Sequence, residues 1–317
     1  MDFGASLKGL EGFEDFFERE LLPELQEVEA GRPRAMKIFA AAAVVAVVLF
    51  CGAAYFILVR QVADPQLMIF AGVGCIGIGA LGLKPLSSLQ KQAKDRIMMA
   101  LCGHLGLSYQ LKPGAQPISI FKDLRLIPGH NKRRIEDRIY GQAGGVDFNL
   151  FEAKLKQETR DSKGRKSSRT VFRGLLSHFD FHKNFSGTTI IRKDKTALGN
   201  FFDGTFNDGE RVKLEDPEFE RLFEVYATDQ VEARYLLTPT FMERIKKLAA
   251  LVGSENLQLA FDRGNLYLSI RKSENSFEGG SMFSNFADPE RVEKSARELA
   301  LIYDIVQLLQ LELQTRI

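Results

Sequence analysis

Hydrophobic positions change their spacing along this chain, and each change predicts a different element. Between residues 10 and 29, Leu10, Phe13, Phe17 and Leu21 recur at helical spacing with Phe16 beside them, which predicts an amphipathic helix kinked or broken at Pro23. From Ile38 to Val59 and from Pro65 to Leu83 the periodicity disappears into two uncharged runs of 22 and 19 residues. As helices these measure about 33 and about 28 Å, enough to cross a hydrocarbon core of roughly 30 Å. Asp64 and Pro65 are suited to N-cap and first-turn positions, so the five residues "RQVAD" between the runs predict a membrane hairpin. Buried helices of a water-soluble fold usually keep a polar stripe, and neither run has one.

Beyond the hairpin, Lys84 to Leu107 reads as a helical stalk with Leu86, Leu89, Ala93, Ile97 and Leu101 on one side. In "VDFNLFEAKL", residues 146–155, alternation runs through Val146, Phe148 and Leu150 and then shifts phase to Phe151, Ala153 and Leu155, as expected of a strand with a bulge. "RTVFRGLLSHFDF", residues 169–181, is its expected antiparallel partner across a polar loop. Leu257, Leu259 and Phe261 face one way, "DRGN" turns the chain, and Leu266, Leu268 and Ile270 return it, which predicts a hairpin. A last helix is expected from Asp288 and Pro289 to about Leu313. Its Val292, Leu299, Val306 and Leu313 recur every seven residues, so it either packs on its own sheet or forms a coiled-coil seam. The expected class is α+β: a two-helix transmembrane hairpin, then a domain with a mainly antiparallel sheet packed by helices and a long C-terminal helix. The segments are 1–34 (acidic, amphipathic, helical), 35–83 (the hairpin, spans 38–59 and 65–83), 84–107 (the stalk) and 108–317 (a cytosolic α+β domain).

The formal charge of +2 hides an uneven distribution. Residues 1–31 hold nine carboxylates against Lys8 and Arg19, so the remainder is basic. Arg32, Arg34 and Lys37 precede the first span and Lys84, Lys91, Lys94 and Arg96 follow the second, whereas the link has only Arg60 opposed by Asp64. The positive-inside rule then predicts a multi-pass membrane protein with both termini cytoplasmic. Three cysteines, Cys51, Cys75 and Cys102, show no disulfide or zinc spacing. "GVGCIG", Gly72 to Gly77, matches a dinucleotide fingerprint letter for letter, but its place inside an uncharged run favours close helix packing along Ala71, Cys75 and Gly79.

Candidate chemistry is sparse. In "FEVYATDQVEARYLLTPTFMERI", residues 223–245, Asp229 and Glu232 have capping-box spacing, and Thr238 with Pro239 starts another helix. These charges therefore read as helix caps rather than catalysts. His178, Asp180 and His182 alternate along a strand, the arrangement a two-His-one-carboxylate metal site needs, and they are the one metal candidate. No hydrolase or zinc-protease motif and no nucleic-acid-binding signature is present, so neither a catalytic residue, a cofactor nor a nucleic-acid partner is expected. Residues 154–173 carry Lys154, Lys156, Arg160, Lys163, Arg165, Lys166, Arg169 and Arg173 against Glu158 and Asp161. This reads as a solvated loop whose Lys163, Arg165 and Lys166 are candidates for contact with anionic headgroups, with the acidic N-terminal segment as a competitor.

The phrases "FEVYATDQVEARYLLTPTFMERIKKLAAL", "VFRGLLSHFDFHKNFSGTTIIRKD" and "VKLEDPEFERLF", with the hairpin and the "LLPELQEVEAGR" before it, resemble a bacterial family designated domain of unknown function 3137. The resemblance covers roughly residues 15 to 310. It implies an inner-membrane protein with a cytosolic α+β domain and carries over no catalytic residue. The expected function is a membrane-anchored binding or scaffold module that contacts the anionic inner leaflet, a protein partner or another copy of itself. The alternative is a membrane-tethered enzyme using the His178, Asp180, His182 group.

Overall fold

The computed structural model describes residues 12–60, 65–143, 145–180, 185–193, 209–278 and 280–310. They form two compact units, one from Met1–Ala100 with Glu278–Arg297, the other from Leu101–Phe277 with Glu298–Ile317.

The first unit is helical. Helix α1 (Phe13–Phe16) runs through a π-turn (Phe17–Leu21) into α2 (Leu22–Ala30). Pro23 has no amide hydrogen for the carbonyl four residues back, and the wider turn just before it lets the helix continue with a local distortion. The stripe Phe13, Phe17, Leu21, Leu25 and Val28 is buried, so this face packs within the chain. Helices α3 (Arg32–Arg60) and α4 (Pro65–His104) are each long and apolar enough to cross a membrane. Only 6% of the most apolar window of one and 11% of the other is buried, so these are not the core helices of a compact fold. They touch where side chains are small: a Cβ on Gly82 would stand 2.6 Å from Ala42 Cβ, and Cys75 Sγ lies 3.0 Å from the Ala46 carbonyl. The GVGCIG stretch sits inside α4 with no strand before it, which removes the dinucleotide reading. The expected stalk is the same helix continued past Pro85, and its Leu86, Ala93, Ile97 and Leu101 are buried.

The second unit is built on a sheet. Its strands are β1 (Ser108–Gln110), β2 (Lys132–Ala143), β3 (Val146–Arg160), β4 (Lys166–Asp180), β5 (Thr188–Arg192), β6 (Glu210–Val212), β7 (Glu224–Ala227), β8 (Leu257–Asp262) and β9 (Asn265–Arg271). Among the described residues they form one nine-stranded sheet, antiparallel at every junction, in the order β1-β2-β3-β4-β9-β8-β5-β7-β6. Helix α5 (Ile118–Asp123) and the turn after it cover one face, where Ile118, Phe121, Leu124 and Ile127 meet Phe151, Ala153, Leu155, Phe172 and Leu176. The Phe121 ring is met edge-on by Phe151 and Tyr267 at 6.0 and 5.5 Å. Full burial of each such ring contributes about 1.5–3 kcal/mol. Helix α8 (Pro239–Val252) packs its Phe241, Ile245 and Leu248 on the opposite face, with Phe241 5.7 Å from Phe261.

Coverage of both faces corrects one expectation. Strand β3 has no bulge at Leu150 to Phe151; Phe148 and Leu150 are buried on the α8 side, and Phe151, Ala153 and Leu155 on the α5 side. The phase shift marks a strand buried on both sides. The bulges belong to its neighbours, with the extra residue on β2 between Glu136 and Ile139 and on β4 opposite the Leu155/Lys156 step. Gly174 on β4 is obligatory: its φ is 154°, and a Cβ there would lie 2.0 Å from the Ile270 carbonyl oxygen.

Caps and turns follow the sequence closely. Arg263 and Gly264, both at positive φ, make the two-residue turn of the β8–β9 hairpin. Asp216 caps α6 (Pro217–Leu222), and its carboxylate also pairs with Lys246 of α8 at 3.0 Å. Asp229 Oδ1 accepts the amides of Val231 and Glu232 at the start of α7 (Gln230–Leu236), and Thr238 Oγ1 accepts that of Phe241. Glu232 does not close a capping box. Its carboxylate accepts from the Ser186 and Gly187 amides (3.2 and 2.7 Å) and pins the approach to β5. The last helix, α9 (Pro289–Gln310), buries Val292 and Leu299 inside the chain, so the first two layers of the heptad are already packed; Leu313 lies outside the described residues.

Candidate functional site

Strands β3 and β4 run on past the hydrophobic core as a two-stranded ribbon. The last apolar pair is Leu155 opposite Phe172, and every residue from Thr159 to Thr170 is exposed. The expected loop is therefore mostly paired strand, in register from Lys156 opposite Thr170 to Arg160 opposite Lys166. Alternation of polar side chains cannot separate such a ribbon from coil, because neither face has a core to mark it.

Only residues 161–165 make the turn, and Asp161 organises them. Its Oδ1 accepts the Lys163 and Arg165 amides at 2.9 and 2.8 Å, its Oδ2 accepts Arg165 Nε at 3.0 Å, and its carbonyl accepts the Gly164 amide at 2.9 Å. Gly164 supplies the positive φ that closes the turn. The three candidate cations thus occupy one short tip. Arg165 is partly neutralised by Asp161, whereas Lys163 and Lys166 form no ion pair among the described residues. Three carboxylates of the acidic segment are engaged within its own unit: Glu24 and Glu27 lie 3.5 and 3.3 Å from Arg96, and Glu29 holds Arg32 at 2.6 Å and the Phe286 amide at 2.8 Å.

At the other end of β2–β4, on the α5 face, lies a polar crevice of about 470 Å³ lined by Arg138, Tyr140, Asn149, His178, Asp180 and Asn265, among others. Tyr140, Asn149, His178 and Tyr267 stand opposite one another on β2, β3, β4 and β9. Arg138 crosses this row, with Nε 2.7 Å from Asn149 Oδ1, Nη1 3.3 Å from Gln110 Oε1 and its guanidinium 4.1 Å above the Tyr140 ring. His178 and Asp180 share the face, as their spacing predicts; His182 lies outside the described residues. No group of three His, Cys, Asp or Glu among the described residues is placed to hold a metal. Burial, helped by the Arg138 charge, holds the His178 imidazole below the usual histidine range, against the pull of Asp180. Its Nδ1 is buried and has no hydrogen-bond partner. Sequence spacing reveals His178 and Asp180, but Arg138 and Asn149 join them only through pairing across the β2 bulge.

Residues 170–311 match the model of a family described as "Protein of unknown function (DUF3137)". No curated protein matches the chain. The crystal structure of the mycobacterial trehalose monomycolate transport factor A, TtfA, aligns with 69% of this chain and 96% of its own length at 12% identity, with a TM-score of 0.33. A superposition that loose transfers nothing to this chain.

Proposed function

For a chain that belongs to the bacterial DUF3137 family, we propose the role of a membrane-anchored binding module, with α3 and α4 as a transmembrane hairpin, both termini in the cytoplasm, and the sheet unit held against an anionic surface by its ribbon tip. One observation carries this reading: a preorganised, fully exposed tip that concentrates Lys163, Arg165 and Lys166 in and beside a single turn. Each engaged cation contributes about 1 kcal/mol at an anionic leaflet, so the tip contributes about 2–3 kcal/mol once Asp161 is allowed for. Because Asp161 already fixes the turn, little of that gain is lost in ordering the backbone. Tethering supplies a high local concentration, so a weak contact of this size is enough to bias orientation.

Trypsin, which cuts after Lys and Arg, tests the tip directly in the full-length chain held in lipid discs. Cleavage at residues 163–166 is expected to be rapid in phosphatidylcholine discs, slowed in discs containing phosphatidylglycerol, and restored there by high salt. Equal cleavage in both lipids would remove the reading. For the anchor, a periplasm-dependent reporter inserted at Ala63 is expected to be active and one fused after Ile317 silent.

The polar crevice favours one alternative, a membrane-tethered enzyme in which neutral His178 exchanges a proton with a substrate positioned by Arg138 and Asn149. Under that alternative a ligand soaked into the crevice would move the His178 ring resonances, and His178→Phe would abolish turnover without unfolding the chain.

A further inference from the structure

Arg134, Lys154 and Arg173 occupy directly opposed positions on β2, β3 and β4. Their side chains leave the sheet on the same face, about 5 Å apart from strand to strand. Lys132 and Lys156 form the adjacent pair. Carboxylates answer two of these five: Glu136 pairs with Arg134, and Glu158 with Lys132 at 2.7 Å. Glu152, on the same face of β3, is buried and accepts the Ser276 amide at 2.8 Å. Lys154 and Lys156 have no ion pair among the described residues. Arg173 gives one Nη to the Ser273 carbonyl at 3.0 Å, while its Nε is buried with no acceptor. Arg192 Nε is orphaned as well, but there a carboxylate, Glu224, stands opposite in the register.

Like charges directly opposed across strands destabilise a sheet, and a buried donor without an acceptor costs more. Burial and the neighbouring charges of Arg173, Lys156 and Arg134 hold the Lys154 ammonium below the usual lysine range, with Glu136 opposing them. An anion placed over the row would relieve all three penalties together. The required charge is more than one, because Lys154, Lys156 and Arg173 each form no ion pair among the described residues. A carboxylate carries a single charge on two oxygens; a phosphate group carries more charge on more oxygens and suits a combination of Arg fork and Lys point charge.

We propose that Arg134, Lys154 and Arg173, with Lys156 at the edge, form a phosphate-binding site that takes a phosphomonoester or diphosphate group. The site goes beyond the tip reading and does not depend on it, since the row lies on the β2–β3–β4 part of the sheet, before the ribbon begins and back from the turn. The group has two sources, a phospholipid headgroup or a soluble phosphate.

The test uses the full-length chain in phosphatidylcholine discs, a brief pulse of an amine-acylating reagent, and peptide mass spectrometry to read each lysine. Three conditions are compared at matched ionic strength: no addition, inorganic pyrophosphate in solution, and phosphatidic acid in the disc. Without an anion, Lys154 is expected to acylate faster than its half-buried position alone would allow, because more of its amine is neutral. Bound phosphate should slow Lys154 by about fivefold or more while Lys163 and Lys166 change by less than about twofold, as expected when charge and access change at one site only. Protection by pyrophosphate alone identifies a soluble ligand, and protection by phosphatidic acid alone a headgroup. Arg134→Gln, at an exposed position, should weaken the protection without disturbing the fold. Failure of both anions to protect Lys154, or equal protection of Lys163 and Lys166, would overturn the proposal. Changes confined to the tip lysines would speak for the tip reading and against this one.

Discussion

Replacing Lys154 by methionine should stabilise the fold, although it removes a charge from a half-exposed position. Lys154 stands between Arg134 and Arg173, and its ammonium is held below the usual lysine range by burial and by Arg173, Lys156 and Arg134. The folded state therefore binds the Lys154 proton less tightly than the unfolded chain does. The penalty is fully present below the folded-state pKa and disappears as pH rises from there toward the ordinary lysine value of 10.5. Two opposed like-charge pairs cost about 0.2–1 kcal/mol each. Solvent exposure and salt screening remove roughly half, which leaves about 0.2–1 kcal/mol. Methionine keeps the length of the side chain and its contact with the sheet but not the charge. For a unit of this size the melting temperature should rise by about 0.5–4 °C. Melts of the full-length chain in neutral detergent at low salt provide the assay, repeated at high salt and at rising pH. The gain should shrink in salt and close as the wild-type lysine deprotonates. A loss of stability, or a gain indifferent to both salt and pH, would refute the cation-row reasoning.

Three further outcomes follow from the same geometry. Gly174→Ala should cost about 3 kcal/mol or more or prevent folding, since the new methyl would overlap the Ile270 carbonyl, and chemical denaturation of the purified variant would read it. In the helical pair, Gly82→Val should lower the melting temperature in detergent because of Ala42, whereas Gly77→Ala, facing open space, should leave it unchanged. His178 has a folded-state pKa below the ordinary histidine value of 6.5, so it withdraws stability as pH falls through 6.5 toward its folded value; His178→Gln should flatten that stretch of a stability-against-pH curve.

How much of this was legible in the sequence depended on whether the signal was local. The two apolar helices, the caps at Asp229 and Thr238, the Arg263–Gly264 turn and the pairing of β3 with β4 are set by residues close together in the chain, and the structure has them all. What failed involved a partner from elsewhere. Glu232 has the spacing of a reciprocal cap, yet the Ser186 and Gly187 amides offered it better donors. The phase shift at Leu150 to Phe151 looked like a bulge because a single strand does not reveal that α5 covers its second face. Insertion of β5 between β8 and β7 joins segments far apart in sequence, with no local mark. The candidate cations divided in the same way. Lys163, Arg165 and Lys166 share the ribbon tip by adjacency, whereas the row of Arg134, Lys154 and Arg173 appears only after three strands are placed in register. His178 and Asp180 were found by period-two spacing, but the residues completing their crevice come from β2 and β3.

Energy transfer reads out whether the ribbon tip holds this domain on an anionic membrane surface. A donor dye on Ser162→Cys, in a chain whose Cys51, Cys75 and Cys102 are replaced by alanine, is paired with an acceptor on the headgroups of the disc that contains the protein. The account predicts strong transfer in phosphatidylglycerol discs, weak transfer in phosphatidylcholine discs, and a fall to the weak level when Lys163, Arg165 and Lys166 become glutamate or when salt is raised. Transfer that is the same in both lipids and insensitive to the charge reversal would contradict it.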